Sequence, residues 1–389
     1  MSHPDAASLP APPETTARRG RSLAPDLARG FMLLAIALAH IPAFIADWDL
    51  GPSGRNAAAD TARVLLFDNQ ARIMFIFLFG YGLGQLALSR AAKGSDWTDI
   101  RKLMRRRAFW LVVIGFAHMV VLVPLDFISA YGVTLLLFAG LVRARDKTLL
   151  WTGAAVLVAA IALSMWTEIA QLRQIAAGSQ PGAGVDFIKD DFGSHLLMGL
   201  AVFPSKALGS VVMIVPAMVF GLWAARRRVL DEPERHLRLL RGAAFGFLAF
   251  ALTARVPYTL MQTGVWDADT GARGLAATAG HSLGGYAGGV GAAALVGLIA
   301  VRLARRGPFT TAVAALGQRS MTFYIFQSAV FLALYYPFTL DLGGSMGLAG
   351  SFAVGIGIWL VSLALAEWMR RAGHRGPFET LLRRLSEKR

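Results

Sequence analysis

At 389 residues the chain is 55% hydrophobic and only 16% charged, far below the charged share of about a quarter found in soluble domains. Its 39 Lys and Arg outnumber its 24 Asp and Glu, but they gather at the ends of apolar runs, which marks membrane topology and argues against nucleic-acid binding. Zero Cys excludes a disulfide, a thiolate metal site and a cysteine nucleophile.

The predicted elements follow in chain order. Residues 1–28, rich in Ala, Pro and Ser and ending in Arg18, Arg19 and Arg21, read as a disordered cytosolic tail. The first apolar run has basic flanks and no small-residue cleavage site, so it reads as a retained anchor and not a signal peptide. Spans are predicted at 30–47, 64–88, 107–123, 126–142, 149–170, 195–223, 242–263, 277–301, 320–340 and 347–369. Each approaches the roughly 20 helical residues that cross a hydrocarbon core about 30 Å thick. In lipid such runs must be helical, because no water is present to satisfy backbone groups. No alternating ten-residue segments point to a barrel.

With the N-terminus inside, 31 of the Lys and Arg residues fall in cytosolic segments, five in the opposite loops and three within spans. This asymmetry predicts an all-α polytopic protein of about ten spans with both termini in the cytosol of a bacterial cell, in the inner membrane. It divides the chain into a tail (1–28), a transmembrane domain (29–370) and a cytosolic amphipathic tail (371–389).

An ionisable group at membrane depth costs a few kcal/mol by insertion scales, so each is a functional candidate. The alternative is a snorkelling or helix-pairing role. In the first span His40 follows Arg29 by eleven residues. That is close to three turns and about 16 Å of rise, so the two share a helix face. Arg suits a phosphate and His is the usual base near neutral pH. Pro42 is expected to break the helix just after His40. The spacing recurs at Arg107 and His118. If this is an internal repeat, it is a parallel one.

Further candidates fall towards the outer half: Asp68, Arg72, Asp126, His195, Arg255 and His281, with Lys206 deeper. Asp68 and Arg72, four apart, are expected to pair on one helix face. Gln327 and Glu367 read as packing and interface residues. The glycines of 280–289 read as close helix packing, since a phosphate loop needs a strand before it. Arg306-Gly-Pro-Phe309 and Arg375-Gly-Pro-Phe378 read as starts of short amphipathic interfacial helices. No zinc, Walker or nucleophile-elbow signature is present, which argues against an ATP-driven pump.

Several ordered motifs resemble the YeiB-like bacterial membrane proteins, the family catalogued as domain of unknown function 418. They are Pro25-Asp-Leu-Ala-Arg-Gly-Phe31, Ala71-Arg-Ile-Met-Phe-Ile-Phe-Leu-Phe-Gly80, the Arg105 to His118 stretch and Leu125-Asp126-Phe-Ile-Ser-Ala-Tyr131, with Gly317 to Ser328 and Gly376-Pro377-Phe378-Glu379 in the other half. More distantly, Arg29 and His40 are similar to the first-helix motif of the acyltransferase-3 enzymes, regarded with the heparan-glucosaminide acetyltransferases as relatives of the YeiB-like group. In those enzymes the position of His40 is often Asn.

The resemblance implies transfer of an acyl group from cytosolic acyl-coenzyme A, as co-substrate and without a metal, to a small-molecule or glycan acceptor on the far side. Arg29 would meet the coenzyme A phosphates. His40 would deprotonate the acceptor or carry the acyl group, and His118 and Asp126 would orient or relay a proton. Asp68, Arg72, Arg255 and His281 would contact substrate. The bilayer is the expected partner, with no nucleic acid, and an oligomer is left open. Two other readings stand beside the enzyme. A secondary transporter or exporter would use the same groups for substrate or protons. A non-catalytic scaffold predicts that alanine at His40, His118 and Arg72 changes stability alone.

Overall fold

The computed structural model describes residues 22–45, 47, 50–178, 188–303 and 307–387. Most of the expected N-terminal tail lies outside these residues. Among those described the chain is helical throughout, with no strand.

The first helix, α1 (Leu23–His40), begins earlier than the predicted first span. Pro25 suits its first turn, and Asp26 there faces the positive end of the helix dipole. Asp26 is buried and accepts from Gln318 Nε2 at 2.9 Å. Residues 23–28 are therefore packed structure, which the tail boundary at 28 did not anticipate. At the far end Pro42 supplies no amide N–H, and the chain tightens into a 3-10 turn, Ile41–Phe44.

Next come α2 (Ser53–Ala62), α3 (Gln70–Ala91), α4 (Trp97–Val121) and α5 (Ile128–Phe138). Two long helices follow, α6 (Asp146–Ala176) and α7 (Phe192–Arg226). The single turn α8 (Leu237–Arg241) leads to α9 (Leu248–Gln262) and α10 (Ala272–Arg302). The chain closes with α11 (Pro308–Gly317), α12 (Ser320–Tyr335), α13 (Leu348–Arg371) and α14 (Pro377–Glu387).

This is an all-α polytopic membrane protein, and among the described residues seven helical segments are long and apolar enough to cross a membrane. Predicted spans 107–123, 126–142 and 320–340 map instead to α4, α5 and α12. The first three turns of α4 are basic, and the 11 and 16 residues of α5 and α12 rise only about 16 and 24 Å.

Small residues let the helices approach. A methyl group added at Gly80 would lie 2.1 Å from the Met218 carbonyl oxygen, and one at Gly221 the same distance from that of Phe77. Helices α3 and α7 thus meet backbone to backbone, which is how membrane helices gain packing energy without a hydrophobic drive. The glycines of α10 do likewise. Gly284 leaves room for the Arg255 side chain, and Gly285 and Gly288 for Asn69 and Gln70.

Both Arg-Gly-Pro-Phe motifs start helices at their proline, with different fates. Helix α14 is amphipathic, burying Leu382 and Ser386. Its Glu379 accepts from the amides of Met321 (2.8 Å) and Thr322 (3.2 Å), capping α12. Helix α11 is not interfacial: Ala312 to Gly317 are all buried, because Gly30 and Gly317 let α1 and α11 touch through their backbones.

Candidate functional site

The site is built on a broken helix. After α2 the backbone widens into a π-helical turn, Arg63–Phe67, closed by Asp68 N–H to Arg63 C=O at 2.9 Å. Asn69 then takes a left-handed φ of 62° before α3 begins. The break frees carbonyl oxygens that a continuous helix would use internally. Arg255, fully buried on α9, reaches across and donates to Leu65 O at 2.9 Å, Asp68 O at 2.6 Å and Val64 O. The planar five-donor fork of arginine suits such a cluster of acceptors. Arg63 beside it pairs with Asp60 at 2.6 Å and with Asp68. The expected Asp68–Arg72 pair is therefore absent. Asp68 lies before the helix start, so the two residues never share a helical face.

Around this break the helix ends enclose a chamber of about 240 Å³. His40 at the end of α1, Asp68, Asn69 and Arg72 at the start of α3, and Phe127 before α5 form part of its wall. Ser164, Thr167, Glu168 and Gln171 near the end of α6 form another part, with Tyr258 and Gln262 of α9 and His281 of α10 completing it. Apart from Met213 in mid-α7, the lining comes from the helix ends opposite the Lys- and Arg-rich loops, so the chamber lies at the less basic end of the bundle. Of the predicted outer-half candidates, His40, Asp68, Arg72 and His281 come together here. Arg255 stands behind the wall, with Nε 3.4 Å from His281 Nδ1. His195 does not line the chamber; it is buried among Phe192, Tyr336 and Phe338. Lys206 of α7 is exposed and does not line the chamber, though it lies within electrostatic range of Arg72.

Several participants were not singled out in the sequence. Glu168 accepts from Ser282 Oγ through both oxygens, at 2.9 and 3.0 Å. Tyr258 OH donates to Gln171 Oε1 at 2.9 Å. The Asp60–Arg63 pair anchors the break. Glu168 carried a usable signal, an acid within the apolar run 149–170, to which the rule for intramembrane ionisable groups applies.

His118 and Asp126 form a separate, closed array. His118 Nδ1 lies 3.0 Å from Asp126 Oδ1, though poorly aligned for a hydrogen bond, and its Nε2 is 2.8 Å from Ser328 Oγ. Asp126 also accepts from the amides of Ile128 (3.1 Å) and Ser129 (2.7 Å), capping α5. The array ties α4, α5 and α12 together and fixes the neighbouring Phe127, whose ring stacks on His40 at 6.2 Å. His118 and Asp126 thus sit one residue behind the chamber wall.

Arg29 lies at the basic end, away from the chamber. Its Nη2 donates to Leu78 O at 3.4 Å and its Nη1 approaches Asp26 at 3.5 Å. Between Arg29 and His40, Met32 and Leu33 are fully buried. Arg107, its counterpart in the repeated spacing, is half-buried within electrostatic range of Arg29. Both Arg-to-His stretches therefore run the same way, arginine at the basic end and histidine at chamber level.

Against known proteins, residues 224–389 match the family described as "Protein of unknown function (DUF418)". The match covers the C-terminal part of the chain. Two relatives extend the likeness to the rest. "Uncharacterized protein YxaH" of Bacillus subtilis (strain 168) is 23% identical, over 84% of this chain and 81% of its own length. "Uncharacterized protein YeiB" of Escherichia coli (strain K12) is 24% identical, over 94% and 96%. The chain is YeiB-like along nearly its full length. Both relatives are named as uncharacterized, so neither name carries an activity.

Proposed function

We propose that this protein is a membrane-embedded acyltransferase of the bacterial inner membrane, moving an acyl group from cytosolic acyl-coenzyme A to an acceptor on the far side. The observation that supports this most is His40, on the wall of a polar chamber opposite the basic loops, on the same helix as Arg29 at the basic end. The volume of about 240 Å³ suits a hydroxyl- or amine-bearing group and is too small for a nucleotide. The nucleotide of the donor therefore stays at the basic end, where Arg29 is placed for its phosphates. Arg29 and His40 are about 16 Å apart along the helix, comparable to an extended pantetheine arm. Because Met32 and Leu33 are packed between them, delivery of the thioester requires those contacts to shift.

In the reaction His40 takes the proton of the acceptor hydroxyl or amine as its oxygen or nitrogen attacks the thioester carbonyl carbon. The carbon–sulfur bond breaks, the proton passes to the departing thiolate, and the products are the acylated acceptor and free coenzyme A. Asp126 and His118 act at one remove, by holding Phe127 against His40.

The test is acyl transfer from labelled acetyl-coenzyme A in proteoliposomes, with coenzyme A binding measured in parallel. Transfer lost in His40→Ala and saturable binding lost in Arg29→Ala, both in folded protein, would support the reading. Unchanged transfer in His40→Ala would sink it.

The transporter reading has one observation in its favour, the interrupted helix at Arg63–Asn69 whose restart faces the chamber, a construction used by secondary transporters at their substrate sites. Flux into vesicles that depends on a proton gradient, with no coenzyme A binding, would put it first.

A further inference from the structure

Most charged groups around the chamber are already engaged. Asp68 and Asp60 belong to Arg63. Arg255 is spent on backbone carbonyls, and Glu168 is held by Ser282. Arg72 is different. Among the described residues it makes no ion pair, and its one hydrogen bond is from Nη2 to Asn69 Oδ1 at 2.5 Å. Its Nε is buried without a partner, and its guanidinium carbon lies 6.0 Å from the centre of the Phe127 ring.

The surroundings favour an anion. Arg72 is the third residue of α3, a 22-residue helix whose Asn69 side chain caps none of its first backbone amides. The first amides of a helix carry partial positive charge and lack internal acceptors. The Ser164 hydroxyl on the facing wall, 2% exposed, also has no partner. A guanidinium, a helix start and a spare hydroxyl around one small space are the elements of a site for a carboxylate or phosphate group. Glu168 on the wall of α6 leaves room for one anion near Arg72, since a second would meet like charge, and offers an acceptor for a donor group elsewhere on the ligand.

We propose that the chamber binds a small substrate through its carboxylate or phosphate group, held by Arg72 at the start of α3. This deepens the reading of the chamber as the acceptor site and rests on it. Anchored there, the substrate presents its hydroxyl or amine to the wall that carries His40.

The test uses the full chain in detergent, checked for folding without ligand, and calorimetric titration with lactate, glycerol 3-phosphate and, as the neutral control, glycerol. At least one anion should bind wild type about tenfold or more tighter than glycerol, and whichever anion binds better identifies the group. Loss of one charge-assisted interaction corresponds to about 30-fold, so Arg72→Gln should weaken the anion by that factor and leave glycerol unchanged. Arg72→Lys should recover part of the affinity, and Ser164→Ala should weaken it a few-fold. Equal anion binding by wild type and Arg72→Gln, or no preference over glycerol, overturns the proposal. No acyl donor is present, so anion binding without any acyl transfer would count against the transferase reading alone. Transfer to anionic acceptors unaffected by Arg72→Gln would count against the anion site alone.

Discussion

The two ends of the bundle treat polar groups differently. At the basic end nearly every carboxylate is matched to a structural task. Glu379 caps α12, Asp231 accepts from Tyr81 OH at 3.0 Å and Gln85 Nε2 at 2.7 Å, and Asp146 joins Arg226 and Arg227 at 2.9 and 2.5 Å. These contacts latch loops and helix ends together near water, where charge costs little. At the chamber end charges sit deeper and the matching is incomplete. Arg63 and Arg255 are fully used, whereas Arg72, Ser164 and the Asn69 Nδ2 group retain unsatisfied capacity. Saturated groups build the frame, and unsaturated ones facing a cavity are available to a ligand.

The sharpest way to break that comparison is to remove a saturated group. Arg255→Met should be the most damaging change, because it strips the donor from Val64 O and leaves Leu65 O and Asp68 O at the break with only their bonds from Gln70. Removing one member of a buried charged network costs about 3–5 kcal/mol, so a large fall in the thermal midpoint, or failure to accumulate, is expected in detergent. A variant as stable as wild type would mean that the break satisfies itself.

The counterpart is a chamber group outside the frame. His40→Ala should lower acyl transfer by about 10²-fold or more, the usual scale for a general base, with little change in midpoint. Comparable loss of stability and activity would make His40 a packing residue.

His118→Gln lies between these cases. It should cost about 1–3 kcal/mol by disturbing the contacts to Asp126 and Ser328. Any fall in activity should follow the loosening of Phe127, so Phe127→Leu should mimic the functional part without the full loss of stability.

The smallest effect belongs to Asp269, in the exposed turn before α10. The Gly271 amide, aided by Arg273, holds its carboxyl below the usual carboxylate range. A lowered folded pKa gives stability that is present above the unfolded value, about 3.9, and lost as pH falls through the folded value. The turn should therefore loosen only below about pH 4. Trp266 fluorescence should show an acid transition in wild type that Asp269→Asn lacks.

Parts of this picture were legible in the chain itself. Apolar runs and asymmetric basic residues specify a helical membrane bundle, since lipid permits few alternatives. The break after His40 is written in Pro42, and the close packing of α10 in its glycines. The Asp68–Arg72 pair failed for a definite reason. Spacing of four implies contact only inside a regular helix, and the π turn before Asp68 removes that premise. Nor could the 320–340 run reveal that its helix stops at Tyr335, because hydropathy does not distinguish a span from a short helix buried by neighbours.

By itself, then, the sequence determined the solvent of this protein, its helical class and most of the ionisable residues that lie within apolar runs. Those follow from local composition and the cost of bare backbone in lipid. Which of those residues share one chamber, and which are consumed by the frame, was decided only in three dimensions. Arg72 and Arg255 are alike in the sequence, both arginines within predicted spans. One meets carbonyls freed by a distant helix break and the other does not, and contacts across nearly 190 residues lie beyond any local pattern.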